Sequence, residues 1–389
     1  MSGMPKMLDR MAELIAIPSV SSARPDLDQP NLNVIDRLAE WAEEIGFRCE
    51  IDPIRPGKAN LIARLGSSRD ADAPGGLVLS GHTDTVPTDP NLWSSDPWVA
   101  KLRDDRLYGL GACDMKGFFA LALEAAGRFR PEDLAQPLIL IGTADEESSM
   151  SGARQLLASS RQLGRQAVIG EPTGLLPIRM HKGVMMETLR VRGRSGHSSD
   201  PKLGVNAIEG MMEILKVLKT EREALSARFC NPAFKVKHPT LNFGAIHGGD
   251  NPNRICGCCE VHIDIRPLPG MTIESTRDWL EDSLRNVLDP ETGLSLEIES
   301  LFPGVPPFET PKDAPLTRFL EETTGHAAGA VAFGTEGPFF RELGLDTMIL
   351  GAGDIARAHQ PDEFLALSEI GPAVSLFERL IDRFCCSRA

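Results

Sequence analysis

The chain has 389 residues, enough for two or three domains, and its 42% hydrophobic and 25% charged residues are an ordinary globular balance. A formal net charge of −14 excludes the basic face that nucleic acid requires, and no apolar run approaches the length of a membrane span. Eight cysteines in so long a chain point to reduced thiols rather than a disulfide framework.

The opening stretch, MSGMPKMLDRMAELIAIP, interrupts its apolar positions with Asp9, Arg10 and Glu13, so it lacks the continuous core of a signal peptide; a soluble, cytoplasmic protein is expected. NLNVIDRLAEWAEEI (31–45) has helical periodicity and stops at Gly46, which predicts a C-cap. From there to about residue 172 apolar strands alternate with helices: GLVLSGH, the helix GFFALALEAAGRF, PLILIGTADEE, the helix SGARQLLASS, then AVIGEPT. Continuous apolar strands between amphipathic helices predict a doubly wound, mainly parallel α/β sheet. After about residue 183 the texture changes to GVMMETLRVRG, the helix GVNAIEGMMEILKVLKT, the strands TLNFGAIH and RICGCCEVHIDIRP, the helix IESTRDWLEDSLRNVL and the strand LSLEIES. That β-α-β-β-α-β order predicts an inserted, ferredoxin-like α+β domain. TMILGAGD and the helix SEIGPAVSLFERLIDRFC then return to the first domain, so the expected organisation is a catalytic domain over 1–183 and 303–389 with an insertion at 184–302.

In open α/β sheets ligands collect beyond the carboxyl ends of the strands. Here those ends carry His82 and Asp84, then Asp145, Glu146 and Glu147, then Glu171; LYGLGACDMKG supplies Asp114, and TMILGAGD leads through a loop to His359. Side by side, these strands would bring at least three carboxylates and two histidines to one rim. Carboxylates so crowded repel and would be driven to protonate unless cations offset them. Two histidines and three carboxylates, one shared, make a two-metal set, and mixed nitrogen and oxygen ligands suit zinc or cobalt. Asp84 either caps its turn or orients the second ring nitrogen of His82. Of the adjacent pair Glu146 and Glu147, whose side chains diverge, one can bind metal while the other serves as general base.

GHTDTVP, GLGACDMKGFFA, TADEESSMSGAR, GEPT and AHQPDE resemble the co-catalytic zinc aminoacylase and metallopeptidase family, and SGHSSDPKLGVNAIE and HGGDNPNRICGCCEVHIDIRPLPGM extend the likeness over essentially the whole chain. The resemblance implies an amidohydrolase with two divalent ions, Zn or Co. Asp114 would bridge them, with His82 and Glu171 on one ion and Glu147 and His359 on the other. Asp84 would orient His82, and Glu146 would be the base that activates a water between the metals. It also implies a homodimer through the inserted lid domain, with His197 acting in the partner's site, and a substrate carboxylate held by Asn253 and Arg266, with the neighbouring Arg254 a weaker candidate. The small-molecule substrate would be an N-acyl amino acid, and the implied reaction is removal of acetyl from N2-acetyl-L-ornithine in arginine biosynthesis. The alternatives are desuccinylation of N-succinyl-diaminopimelate, broader N-acyl-amino-acid deacylation, or a non-catalytic metal-binding or peptide-binding homologue. A cationic side chain on the substrate needs an acidic counterpart, and AFGTEGPFF offers Glu336 in a loop.

Other features invite chemistry without supporting it. CGCC (256–259) reads as part of one alternating strand, with Cys256 and Cys258 on one face and Cys259 on the other, all small packed thiols. His181 is expected to be structural, and GLGACDMKG lacks the lysine of a phosphate loop at the required spacing. His197 in GRSGHSSDP could be merely solvated and Arg266 merely paired at the surface; the family pattern alone lifts them above that.

Overall fold

The structure is a computed structural model and describes residues 4–66, 75–159 and 161–386. It divides into two compact units: Met1–Arg179, Thr310–Gly329 and Thr335–Ala389 form the first, and Met180–Glu309 with Ala330–Gly334 the second.

In the first unit the strands run in the order Arg48–Arg55, Lys58–Leu65, Leu138–Thr143, Leu77–His82, Gln166–Ile169 and Asp346–Ile349. The last four are mutually parallel, as their continuous apolar character predicts. Leu77–His82 is buried at every position. Its side chains alternate: Leu77 and Leu79 enter a core with Leu14, Leu38, Phe119 and Phe377, while Val78 faces the opposite core with Ile139, Ile169 and Phe340. Both faces are therefore covered, which is what forces the strand ends to carry the polar chemistry. The sheet is nevertheless mixed. Arg48–Arg55 and Lys58–Leu65 form an antiparallel hairpin on its flank, turning at Gly57 with φ +83°, to which the sequence reading assigned no element.

Helix Lys116–Ala126 is buried along almost its whole length. It lies so close to the sheet that a Cβ on Gly81 would stand 2.7 Å from Met115 Cε and 2.8 Å from Phe118, and one on Gly170 would collide with the Phe118 ring. Those two glycines let the helix seat, and the turn just before it carries Asp114. The helix over 31–45 is present as Leu32–Ile45, ending at Gly46 with φ +104°.

The second unit holds an antiparallel sheet ordered Thr240–Gly248, Cys258–Arg266, Met185–Arg192, Ser295–Ser300. Helices Ala207–Arg228 and Ile273–Leu284 share its core through Met211, Ile214, Leu218, Leu280 and Leu284. The expected single strand over 254–267 is broken: Arg254–Ile255 pairs elsewhere and Cys258–Arg266 starts afresh. The break at Cys256–Gly257 regroups the thiols: Cys256 is buried with Cys259 rather than sharing a face with Cys258, and Cys258 is exposed, not packed as expected. All eight cysteines are free, and no helix among the described residues is long and apolar enough to cross a membrane.

Candidate metal centre and active site

The parallel register sets the site. His82 pairs with Thr143 at the carboxyl ends of adjacent strands, and Ser80 with Ile169, so the segments 143–147 and 169–171 emerge beside the His82 strand. Asp346–Ile349 lies next to Gln166–Ile169, and the chain after it reaches His359. Asp114 joins from the turn between Arg106–Tyr108 and the helix Lys116–Ala126.

At that rim His82 Nε2 lies 3.0 Å from Asp114 Oδ1, and His359 Nε2 lies 3.4 Å from Asp114 Oδ2 and 3.0 Å from Glu147 Oε1. The two Asp114 oxygens thus face different histidines. Ligand atoms of His82, Asp114 and Glu147 lie within 4.8 Å of one another, and so do those of His82, Glu146 and Glu171. The five expected ligands, the expected base Glu146 and the expected orienting residue Asp84 therefore meet in one place. His82, Asp84, Asp114, Glu146 and Glu171 are buried; His359 is half exposed and forms the open side.

Asp84 holds more than the histidine. His82 Nδ1 is 3.0 Å from the Asp84 carbonyl oxygen but 3.7 Å from its carboxylate. The carboxylate instead accepts the backbone N–H groups of Glu146 (3.3 Å) and Glu147 (3.1 Å). One residue therefore fixes the histidine through its main chain and the glutamate pair through its side chain. The preceding Asp145, at φ +58°, turns the chain into that position. Its own carboxylate is pinned by Lys58 Nζ at 2.6 Å, Arg55 at 2.9 Å and the hydroxyls of Ser21 and Ser151. This anchor was invisible to sequence reasoning because Lys58 lies in the unassigned hairpin.

The electrostatics are those of a cluster short of positive charge. Burial and the neighbouring Glu171 hold Glu146 well above the usual carboxyl range, and burial with the Asp114 charge does the same to Glu171. Burial lifts Asp84 to about 6. Burial would also raise Asp114, but hydrogen bonds from His359 and His82 outweigh it and keep Asp114 far below the usual range. The reciprocal effect raises His359 to about 10, through Asp114 and Glu147, and takes His82 well above its usual value despite burial. Two histidine nitrogens and several buried carboxylates, with the two Asp114 oxygens facing different histidines, are a mixed nitrogen and oxygen donor set that fits a pair of divalent ions.

Glu336 reaches this region from the end of the loop that leads into the short helix Gly337–Glu342, as expected. It occupies the N-cap position of that helix and is 1% exposed, with its carboxyl facing Thr143. Burial pushes it up to about 7, against the lowering effect of Thr143 and His82. Its charge is felt by both Glu146 and Glu171.

The remaining expected residues belong to the second unit, and they fall into two groups. His197 pairs with Arg254 across a two-residue antiparallel ladder, and Ser198 N–H donates to the Asn253 carbonyl at 3.1 Å, so His197, Asn253 and Arg254 share one exposed corner. There His197 Nδ1 is 2.7 Å from Ser199 Oγ, and Arg254 pairs with Asp250 at 2.6 Å. Arg266 ends the strand Cys258–Arg266 and donates to Asp264 at 2.9 Å. Eight strand residues separate it from that corner, about 26 Å of extended chain. Asn253 and Arg266 of one chain are therefore not neighbours. His181 is buried, its ring stacked on Phe308 at 5.1 Å and its Nδ1 2.8 Å from the Lys182 carbonyl, a structural role.

Residues 78–383 match the peptidase family M20/M25/M40, and the chain belongs to that family. Within it, the chain is 44% identical over 381 residues to an acetylornithine deacetylase of Aliivibrio salmonicida, covering 98% of this chain and 99% of the relative. It is 45% identical over 384 residues to an acetylornithine deacetylase of Proteus mirabilis, covering 98% and 97%. Among solved structures the aminopeptidase PepT of Bacillus cereus shares the fold, with a TM-score of 0.75 at 18% identity over 97% of this chain and 98% of that one.

Proposed function

We propose that the chain is a metal-dependent amidohydrolase that removes the acetyl group from N2-acetyl-L-ornithine, yielding L-ornithine and acetate for arginine biosynthesis in the cytoplasm. The observation that carries the reading is the buried rim at which Asp114 presents one oxygen to His82 and the other to His359, in a chain so similar along its length to the deacetylases above. Asp114 would bridge two ions, zinc or cobalt, with His82 and Glu171 holding one and Glu147 and His359 the other. Such ions supply the positive charge that acidifies a water and polarises the acyl carbonyl.

The chain's own groups do the rest. Glu146, held by its N–H to Asp84 and lifted by burial, accepts the water's proton and returns it to the departing amine. His197 donates to the oxyanion of the tetrahedral intermediate, and it does so in the partner's site. The second unit then serves as a ferredoxin-like lid and dimerisation domain. Its edge strand Thr240–Gly248 has one free side, beside an apolar groove lined by Met212, Leu215, Phe243 and Ile246, with Met212 61% and Ile246 55% exposed; a second copy of the chain would cover it. Asn253 and Arg254 travel with His197, whereas Arg266 meets the substrate carboxylate from the other end of its strand.

Chelator-stripped protein given zinc or cobalt is expected to release ornithine from N-acetylornithine, with little activity before metal is restored. Faster release from N-succinyl-diaminopimelate would overturn the substrate, and no hydrolysis of either would overturn the catalytic reading. We also assign the substrate's terminal ammonium to Glu336, a carboxyl buried close enough to Glu146 and Glu171 for its charge to be felt by both. Glu336→Gln is then expected to lower kcat/KM for acetylornithine relative to acetylmethionine by about tenfold or more. An unchanged ratio would remove that assignment.

A further inference from the structure

We infer that Glu363 is the positioning residue of the bridging carboxylate Asp114. Asp114 sits in an irregular turn, between the strand Arg106–Tyr108 and the helix Lys116–Ala126, that contains Gly109 at φ +155° and Gly111 at φ +82°. No ladder of the main sheet holds that turn. Glu363 does: its Oε1 accepts the N–H groups of Cys113 at 2.7 Å and Asp114 at 3.0 Å, and its Oε2 accepts that of Gly111 at 3.1 Å. The side chain is 1% exposed, so no solvent shares the work. The Glu363 carbonyl also accepts from Gly109 N–H at 3.1 Å, and Phe364 pairs with Tyr108. Glu363 therefore clamps both the start and the end of the Asp114 turn.

The same short segment carries His359 four residues earlier, whose Nε2 faces Asp114 Oδ2. Glu363 thus ties the backbone of one ligand to the loop that supplies another, and sets the separation between them. Three N–H donors on two carboxyl oxygens are a demanding match. Glutamine would keep one oxygen but turn an NH2 towards an N–H, donor against donor, and aspartate would be too short to span Gly111 and Asp114 together. The inference rests on the proposed role of Asp114 as bridging ligand, and is independent of which acyl amino acid is hydrolysed.

The test uses the full-length protein and reads metal binding besides activity. Glu363→Gln is expected to weaken cobalt binding, measured by competition with a chromophoric chelator, by about 10- to 100-fold. The visible absorption of the cobalt-loaded variant should change in position and intensity, and kcat should fall by a similar factor with KM for N-acetylornithine within about threefold. Hydrogen exchange on the unmutated chain supplies the arm that needs no variant: the amides of Gly111, Cys113 and Asp114 should be protected in the chelator-stripped protein as well as in the zinc-loaded one. Rapid exchange of those amides in the stripped protein would overturn the inference, as would a folded Glu363→Gln protein with unchanged cobalt affinity and spectrum. A metal-binding defect that appears in protein inactive on every N-acyl amino acid would leave the positioning role standing and overturn the catalytic reading instead.

Discussion

Replacing Glu146 by Gln is expected to lower kcat by about three orders of magnitude, roughly 4 kcal/mol of transition-state stabilisation, while both metals stay bound. The side chain is buried at the rim, its backbone is fixed by the Asp84 carboxylate, and Glu171 raises its proton affinity, so it can hold a proton between taking it from water and giving it to the amine. Glutamine preserves size and the backbone contact but cannot take a proton at neutral pH. Zinc content then decides between two roles, because Glu146 lies as close to His82 and Glu171 as a ligand would. A variant that loses a metal together with its activity would make Glu146 a ligand and remove it as the base. The same variant tests His197. Homodimers of Glu146→Gln and of His197→Ala should both be nearly inactive, but mixed dimers contain one site with an intact Glu146 and an intact His197 from the other chain. Recovery of activity on mixing is expected, and its absence under exchange conditions would place His197 in its own chain's site or outside the chemistry.

Much of this arrangement was legible because the residues that carry it are local punctuation. A buried parallel strand must stop at polar residues, so LVLSGH pointed to His82, and LILIGTADEE to the glutamate pair. Gly46 read as a C-cap because only a left-handed residue ends that helix without strain. Arg48–Leu65 escaped because one of its strands alternates towards solvent and contains Pro53, which weakens the periodic signal. With it went Lys58, and hence the anchor of Asp145. Glu363 is the last residue of AHQPDE, but its partners are backbone N–H groups about 250 positions away, which no spacing rule reports. The separation of Asn253 from Arg266 had the opposite cause. They are near in sequence, and only the intervening strand puts them at different ends.

Removing the metals should make stability strongly pH-dependent in the direction opposite to ordinary acid denaturation. Glu146, Glu171, Asp84 (about 6) and Glu336 (about 7) all have raised values in the folded chain. In the unfolded chain such carboxyls ionise near pH 4, so between about pH 5 and 8 the folded state binds more protons and stability falls as pH rises. His359, raised to about 10, adds in the same sense: its contribution is complete below the usual histidine value and is lost as pH climbs through the folded one. Asp114 and Asp145 work the other way, since their depressed values stabilise above the usual carboxyl range and are lost only in acid, and Lys116, lowered by burial to about 7, opposes the slope above that pH. At roughly 1.4 kcal/mol per unit, the parts of the Asp84 and Glu336 titrations above about pH 5.5 amount to about 3 kcal/mol, so the thermal midpoint of stripped protein should drop by a few degrees between about pH 5.5 and 8.5. Zinc, by offsetting the carboxylate charge, should flatten or reverse that slope, and should stabilise most at the alkaline end, where its ligands are already deprotonated. A stripped protein whose midpoint is constant or rises across that window would mean that these carboxyls do not share one buried site, and the two-ion assignment would fall with them.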